Sequence, residues 1–226
     1  TSVTAAKLNN DIISGTTALA EAPADTDEFL VSDAGTLKRI DFSHIKGGGQ
    51  WTHLLTTTAS SSSSIAFSST YITTTYLDYQ IVISGIKGSN DGFTPQITLS
   101  TDNGSSYLGS YRIARHAFAS DGNNKNSESN SGSKIFIAGS VAPGNSTGEG
   151  YSGIVTVFDP LKQSGTTNTR TIVIAESAYH DTGADFVIAH IGAANKTNDA
   201  VNNIKFDLDT GNIATGKVSL YGRKLS

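Results

Sequence analysis

From Trp51 to Gly222 the chain is a succession of short segments rich in Val, Ile, Phe, Tyr and Thr, separated by Gly, Asn, Asp and Ser. No feature restricts the fold more. β-Branched and aromatic residues favour strands, and the intervening residues favour turns. The pattern predicts strands over Thr52–Thr58, Ser63–Phe67, Tyr79–Ile86, Pro95–Ser100, Ser110–Phe118 and Lys134–Ala138. It predicts further strands over Gly153–Asp159, Thr169–Ala178, Phe186–Ile191, Asn203–Leu208 and Lys217–Gly222. Lys205-Phe206-Asp207-Leu208 alternates polar and apolar residues, as a strand with one covered face does. Ile172-Val173-Ile174-Ala175 and Phe186-Val187-Ile188-Ala189 are apolar on both faces, so both strands are expected to be central. Many short strands with turn signals between them predict an all-β fold, a jelly-roll-like antiparallel β-sandwich, over residues 50–226.

Composition agrees and removes other classes. Ser and Thr occupy 56 of the 226 positions, with 23 Gly and 15 Asn beside them. Charged residues are 16% of the chain, against about 25% in ordinary soluble domains. With no Cys there are no disulfides, thiol nucleophiles or thiolate metal sites. The net charge is −4, and no basic cluster exceeds Lys38-Arg39 or Arg223-Lys224, so nucleic acid is not an expected partner. No apolar run approaches the roughly 18 residues of a membrane-spanning helix. Thr1 to Lys7 lacks the basic and apolar character of a signal peptide, so neither membrane insertion nor secretion is expected.

The N-terminus follows another rule. Ala5, Leu8, Ile12, Gly15 and Leu19 are spaced alternately three and four residues apart, which predicts a short helix over residues 1–22. Two heptads are too short to stand alone in water. Ala5, Leu8, Ile12 and Leu19 are therefore candidate oligomerisation positions, or else the segment is a helix lying on its own domain or a frayed end. Residues 23–49 follow as a β-hairpin module and linker. Glu28–Ser32 and Thr36–Phe42 flank the turn Asp33-Ala34-Gly35, and Gly47-Gly48-Gly49 is a hinge.

Catalytic motifs are not signalled. His44, His53, His116, His180 and His190 are scattered, without the spacings that gather metal ligands, and His190 is expected as a hydrogen-bonded residue on one strand face. Gly150-Tyr151-Ser152-Gly153 is not a nucleophile elbow. Glycosidases need two carboxyls roughly 5–10 Å apart, and no spacing singles out a pair from Glu149, Asp159, Glu176, Asp181 and Asp185. Asp207-Leu208-Asp209-Thr210-Gly211-Asn212 begins like a calcium loop but lacks its Gly and closing Glu, and a turn explains it. No metal, no cofactor and no catalytic residue is expected.

Binding has better ingredients. Trp51, Tyr107, Tyr111, Tyr151 and Tyr179 could stack on sugars if exposed, although aromatics on sandwich strands are usually core. Ala119 to Ser133 has no large apolar residue and predicts a long surface loop. The candidate binding residues are Ser120, Asp121, Asn123 and Asn124 on that loop, with Tyr107 and Tyr111.

Two stretches carry a resemblance. Pro23-Ala24-Asp25-Thr26-Asp27-Glu28-Phe29-Leu30-Val31-Ser32, continuing through Asp33-Ala34-Gly35 to Phe42, is similar to a module of tail-fibre-like and other virion proteins of tailed bacteriophages. Tyr79-Gln80-Ile81-Val82-Ile83, Ser100-Thr101-Asp102-Asn103-Gly104-Ser105-Ser106-Tyr107, and Ala200–Phe206 through Ser219-Leu220-Tyr221-Gly222 resemble a β-sandwich domain at the ends of such proteins. The resemblance implies a non-enzymatic virion protein of the tail-fibre or adhesin type. Its expected partners are two further copies in a homotrimer, other virion proteins (a tail adaptor or the capsid), and a host-surface glycan. A capsid decoration or head fibre protein is the alternative, and a glycan hydrolase a third reading.

Overall fold

The computed structural model describes residues 17, 19–45, 51–165 and 169–224. Contacts divide the chain into two compact units, residues 1–49 and 50–226. Among the heptad positions, Ala5, Leu8, Ile12 and Gly15 lie outside the described residues. Leu19 is described, lies outside any helix and is exposed.

In the first unit, β1 (Glu28–Asp33) and β2 (Thr36–Asp41) form an antiparallel hairpin, as the turn residues predict. Ala34 and Gly35 both have positive φ (48° and 84°), the type I′ geometry that matches strand twist. A single helical turn, α1 (Phe42–Ile45), follows, and its first two N–H groups donate to Asp27 O and Asp25 O. The hairpin buries little: Leu30 is 76% and Leu37 69% exposed.

The second unit is all-β and antiparallel. Its strands are β3 (Trp51–Thr58), β4 (Ser64–Phe67), β5 (Tyr76–Gly88), β6 (Pro95–Ser100), β7 (Tyr111–Ala119) and β8 (Ser127–Gly132). They continue as β9 (Ile135–Phe136), β10 (Gly150–Phe158), β11 (Ile172–His180), β12 (Phe186–Asn195), β13 (Asn203–Leu208) and β14 (Ile213–Lys224). An eight-stranded sheet has the order β3-β14-β5-β10-β11-β12-β7-β8, and a four-stranded sheet the order β4-β13-β6-β9. The path β3, β4, β5, β6 crosses between the sheets at each step, and β9, β10, β13, β14 does the same, so β3-β14-β5-β10 and β4-β13-β6-β9 wind as in a jelly roll. Strands β11, β12, β7 and β8 widen the larger sheet beyond that frame.

Phe67, Ile97, Leu99, Ile204 and Phe206 of the small sheet share one core with Ile81, Ile83, Val155, Val157, Val218 and Leu220 of the large sheet. Across it the Leu99 N–H donates to the Tyr111 hydroxyl at 2.9 Å. The inner face of the widened part is closed by the segment after β9. Tyr151 and Ser177 both donate to Ile137 O, at 2.7 and 3.0 Å, and Arg115 donates to Ala138 O and Gly139 O.

One strand departs from expectation. Ala119 to Ser133 is not a single surface loop: after a tight turn at Ser120–Asn123 it becomes β8, paired to the edge of β7. Main-chain pairing at a sheet edge needs no apolar side chain, so composition did not mark it, and a polar edge resists unwanted pairing.

Candidate functional surface

The six predicted binding residues fall into three groups. Tyr111 is fully buried on β7, with its hydroxyl on the Leu99 N–H, and burial pushes its phenol up to about 12. It is a core residue, because odd-numbered positions of β7 point inward. Tyr151 and Tyr179 are buried as well, so the stacking candidates lose three of their five tyrosines and tryptophans. Tyr107 is half-buried; its hydroxyl donates to Asn203 Oδ1 at 3.3 Å, and Lys205 Nζ lies 4.2 Å from its ring centroid.

Ser120, Asp121, Asn123 and Asn124 are exposed and share the turn after β7. The Asp121 carboxylate accepts from the Asn123 side chain (2.9 Å), the Asn123 N–H (2.8 Å) and Lys125 Nζ (2.9 Å). Those bonds, the Asn123 side chain foremost, hold its carboxyl down at about 2. Ser120 Oγ accepts from the Phe186 N–H at 3.0 Å and donates to Asp185 Oδ1 at 3.2 Å. The turn is thereby tied to the start of β12. Asn124 bridges to Phe118.

Sequence reasoning missed what stands beside this turn. Phe186 is 46% exposed, and its ring lies 5.5 Å from that of His180, its cross-strand partner. Phe118, one row along, is also exposed and packs edge-on against His116 at 4.6 Å. The visible signal was the alternation of Phe118 with buried Ala117, which shows that Phe118 is on the other face but not that this face is open.

The carboxylates raised as catalytic candidates hold their own turns. Glu149 accepts from the Ser146 N–H, Asp159 from the Gln163 and Ser164 N–H groups, and Asp181 from those of Gly183 and Asp185. Glu176 lies on the open sheet face, its Oε1 3.5 Å from His190 Nδ1. Asp207 pairs with Lys205 at 3.0 Å and Asp209 accepts from the Thr94 N–H, so Asp207–Asn212 is a strand end and turn. Among the described residues no three His, Asp or Glu side chains converge as a metal site would require.

Comparisons with protein-family models, with characterised proteins and with solved structures found no match to this chain.

Proposed function

We propose that this chain is a structural component of a tailed-bacteriophage virion, of the tail-fibre or adhesin type. In this reading residues 1–49 seat it on the particle, it assembles as a homotrimer, and its β-sandwich binds a host-surface glycan without catalysis. The resemblance of Pro23–Phe42 to a phage virion module supports the assignment, and that stretch folds as its own small hairpin unit. The glycan part rests on one observation: exposed Phe186, its ring tilted against His180, follows Asp185 and donates its N–H to the Ser120 hydroxyl, which bonds the Asp185 carboxylate. An exposed ring offers a face to the C–H side of a pyranose, and flanking hydroxyl and carboxylate groups fix its orientation by hydrogen bonds.

The test is binding of the full chain to host cells and to their purified surface polysaccharide. Wild type binds, and Phe186→Ala weakens binding by about tenfold, or about 1.4 kcal/mol. Failure of the wild type to bind either would remove the adhesin role.

A further inference from the structure

On the large sheet, Ile154, Phe158, Ile172, Ile174, Ile188 and Phe118 point away from the core, each between 37% and 49% exposed. The cross-strand register places them together. Phe158 stands opposite Ile172, Thr156 opposite Ile174, Ile154 opposite Glu176, and Ala178 opposite Ile188, which itself faces Phe118. Between them lie Ala114, Gly192 and Ala194, small enough to let another backbone approach closely. Towards β14 and β3 the same sheet face turns polar, with Ser219 bonded to Thr56 and Lys217 exposed. The exposed apolar side chains are therefore concentrated on β10, β11, β12 and β7, with Val82 of β5 beside Ile154.

We infer that this face packs against a second copy of the chain. Area is the first argument. With about 200 Å² for a fully exposed Phe or Ile, the six side chains present about 500 Å². The row Glu176, His190 and His116 crosses this surface, and with that row, the small residues and the rim the face approaches the roughly 800 Å² per partner of a stable interface. Charge is the second. The middle row carries Glu176 beside His190 and His116, and Arg112 and Glu128 occupy the β7–β8 side, so both signs are present on one patch. A patch bearing both signs can satisfy itself across a twofold axis, as an isologous contact between two identical chains requires. A partner of one charge sign would leave either Glu176 or Arg112 unmatched.

The inference rests on the proposed self-association of the chain and places a contact between copies on the sandwich. The test uses the full chain. Light scattering at micromolar concentration is expected to give two or more times 23.6 kDa, and the double variant Ile172→Glu/Ile174→Glu is expected to give the monomer. Both side chains are already exposed, so circular dichroism should be unchanged. A second measurement does not depend on that variant folding. The chain has no Cys, so Ile174→Cys and the control Lys217→Cys each carry one thiol. The thiol at position 174 is expected to react with a maleimide about tenfold more slowly than the control, and equally fast once the protein is denatured. A monomeric wild type, or equal reaction rates in the native state, would overturn the inference and leave the face to a different partner. A dimeric mass with position 174 protected upholds the face and removes only the threefold count. Loss of glycan binding bears on neither result.

Discussion

Tyr179 of β11 and Gly139 of the covering segment are joined by a buried hydrogen bond: the Gly139 N–H donates to the phenol oxygen at 2.9 Å. The same hydroxyl donates onward to Val141 O at 2.9 Å, so one group satisfies two main-chain positions of a segment with no strand partner there. Tyr179 is 2% exposed, and burial raises its phenol to about 12. Tyr179→Phe keeps the ring and orphans both backbone groups. It is expected to cost about 2 kcal/mol, seen as a lower urea midpoint with unchanged slope.

Asp78 and Arg223 form the corresponding fastener on the other flank. Asp78 on β5 is almost fully buried; Oδ2 accepts from Arg223 Nε at 2.8 Å and from Nη2, while Oδ1 accepts the Asp159 N–H at 2.9 Å. One carboxylate thus ties β5, β14 and the end of β10. Asp78→Ala leaves the guanidinium and an amide without their acceptor and is expected to cost about 3 kcal/mol in urea unfolding, less than a fully enclosed pair because Arg223 keeps some solvent. A cost no larger than that of a surface substitution would mean that water replaces the carboxylate.

The frame of the sandwich was legible in the sequence because its strands announce their ends. Pro95–Ser100 and Asn203–Leu208 match β6 and β13 residue for residue, bounded by Pro95 and by the Asp209-Thr210-Gly211 turn. β8 was invisible because an edge strand held by main-chain bonds needs no apolar pattern. The binding residues were harder to place. Tyr107 and Tyr111 are the same residue type four positions apart, and only the pairing of β7 decides that the second is core. Ile172–Ala175 and Phe186–Ala189 were rightly expected in central strands, since both are interior to the sheet, yet their outward Ile172 and Ile188 are exposed. Periodicity records that both faces of a strand are apolar, but not whether anything covers the outer one.

Two exposed turns carry a pH signature. Asp102 accepts from the hydroxyls of Ser106 and Ser100 and from the Ser106 N–H, and these bonds, the Ser106 hydroxyl foremost, lower its carboxyl from 3.8 to about 2. Asp121 is lowered to the same value by Asn123 and Lys125. Both folded-state values lie below the unfolded one. The stabilising contribution is therefore complete above pH 3.8 and is lost as pH falls towards about 2. Carboxyl NMR titration should give midpoints near 2 for both, and Ser106→Ala should return Asp102 towards 3.8 while leaving Asp121 in place. Midpoints at the ordinary value would show that these turns are not held as described.

Gly216 shows why β14 can bend where it passes over β5. Its φ is +120°, and the register between the two strands shifts on either side of it, between Ile213 and Thr215 and between Thr215 and Lys217. A Cβ there would stand 2.6 Å from Ile86 Cδ1 and 2.9 Å from both Gly85 O and Ile86 Cα, so the clash falls on main chain as well as on a buried side chain. Its carbonyl accepts the Ala59 N–H at 2.9 Å, which fixes the bulge to the start of the β3–β4 connection. Neither the dihedral nor the contact can relax without moving the strand that sits between β3 and β5. Gly216→Ala is expected to cost about 3 kcal/mol by urea unfolding, from backbone strain and overpacking together. Gly109→Ala is the control: a Cβ there meets nothing within 4 Å and its φ is not in the positive range, so the midpoint should stay the same or rise slightly. If both substitutions were equally mild, β14 would have to slip its register against β5 to absorb the methyl group, and amide exchange along Ile213–Val218 would show it.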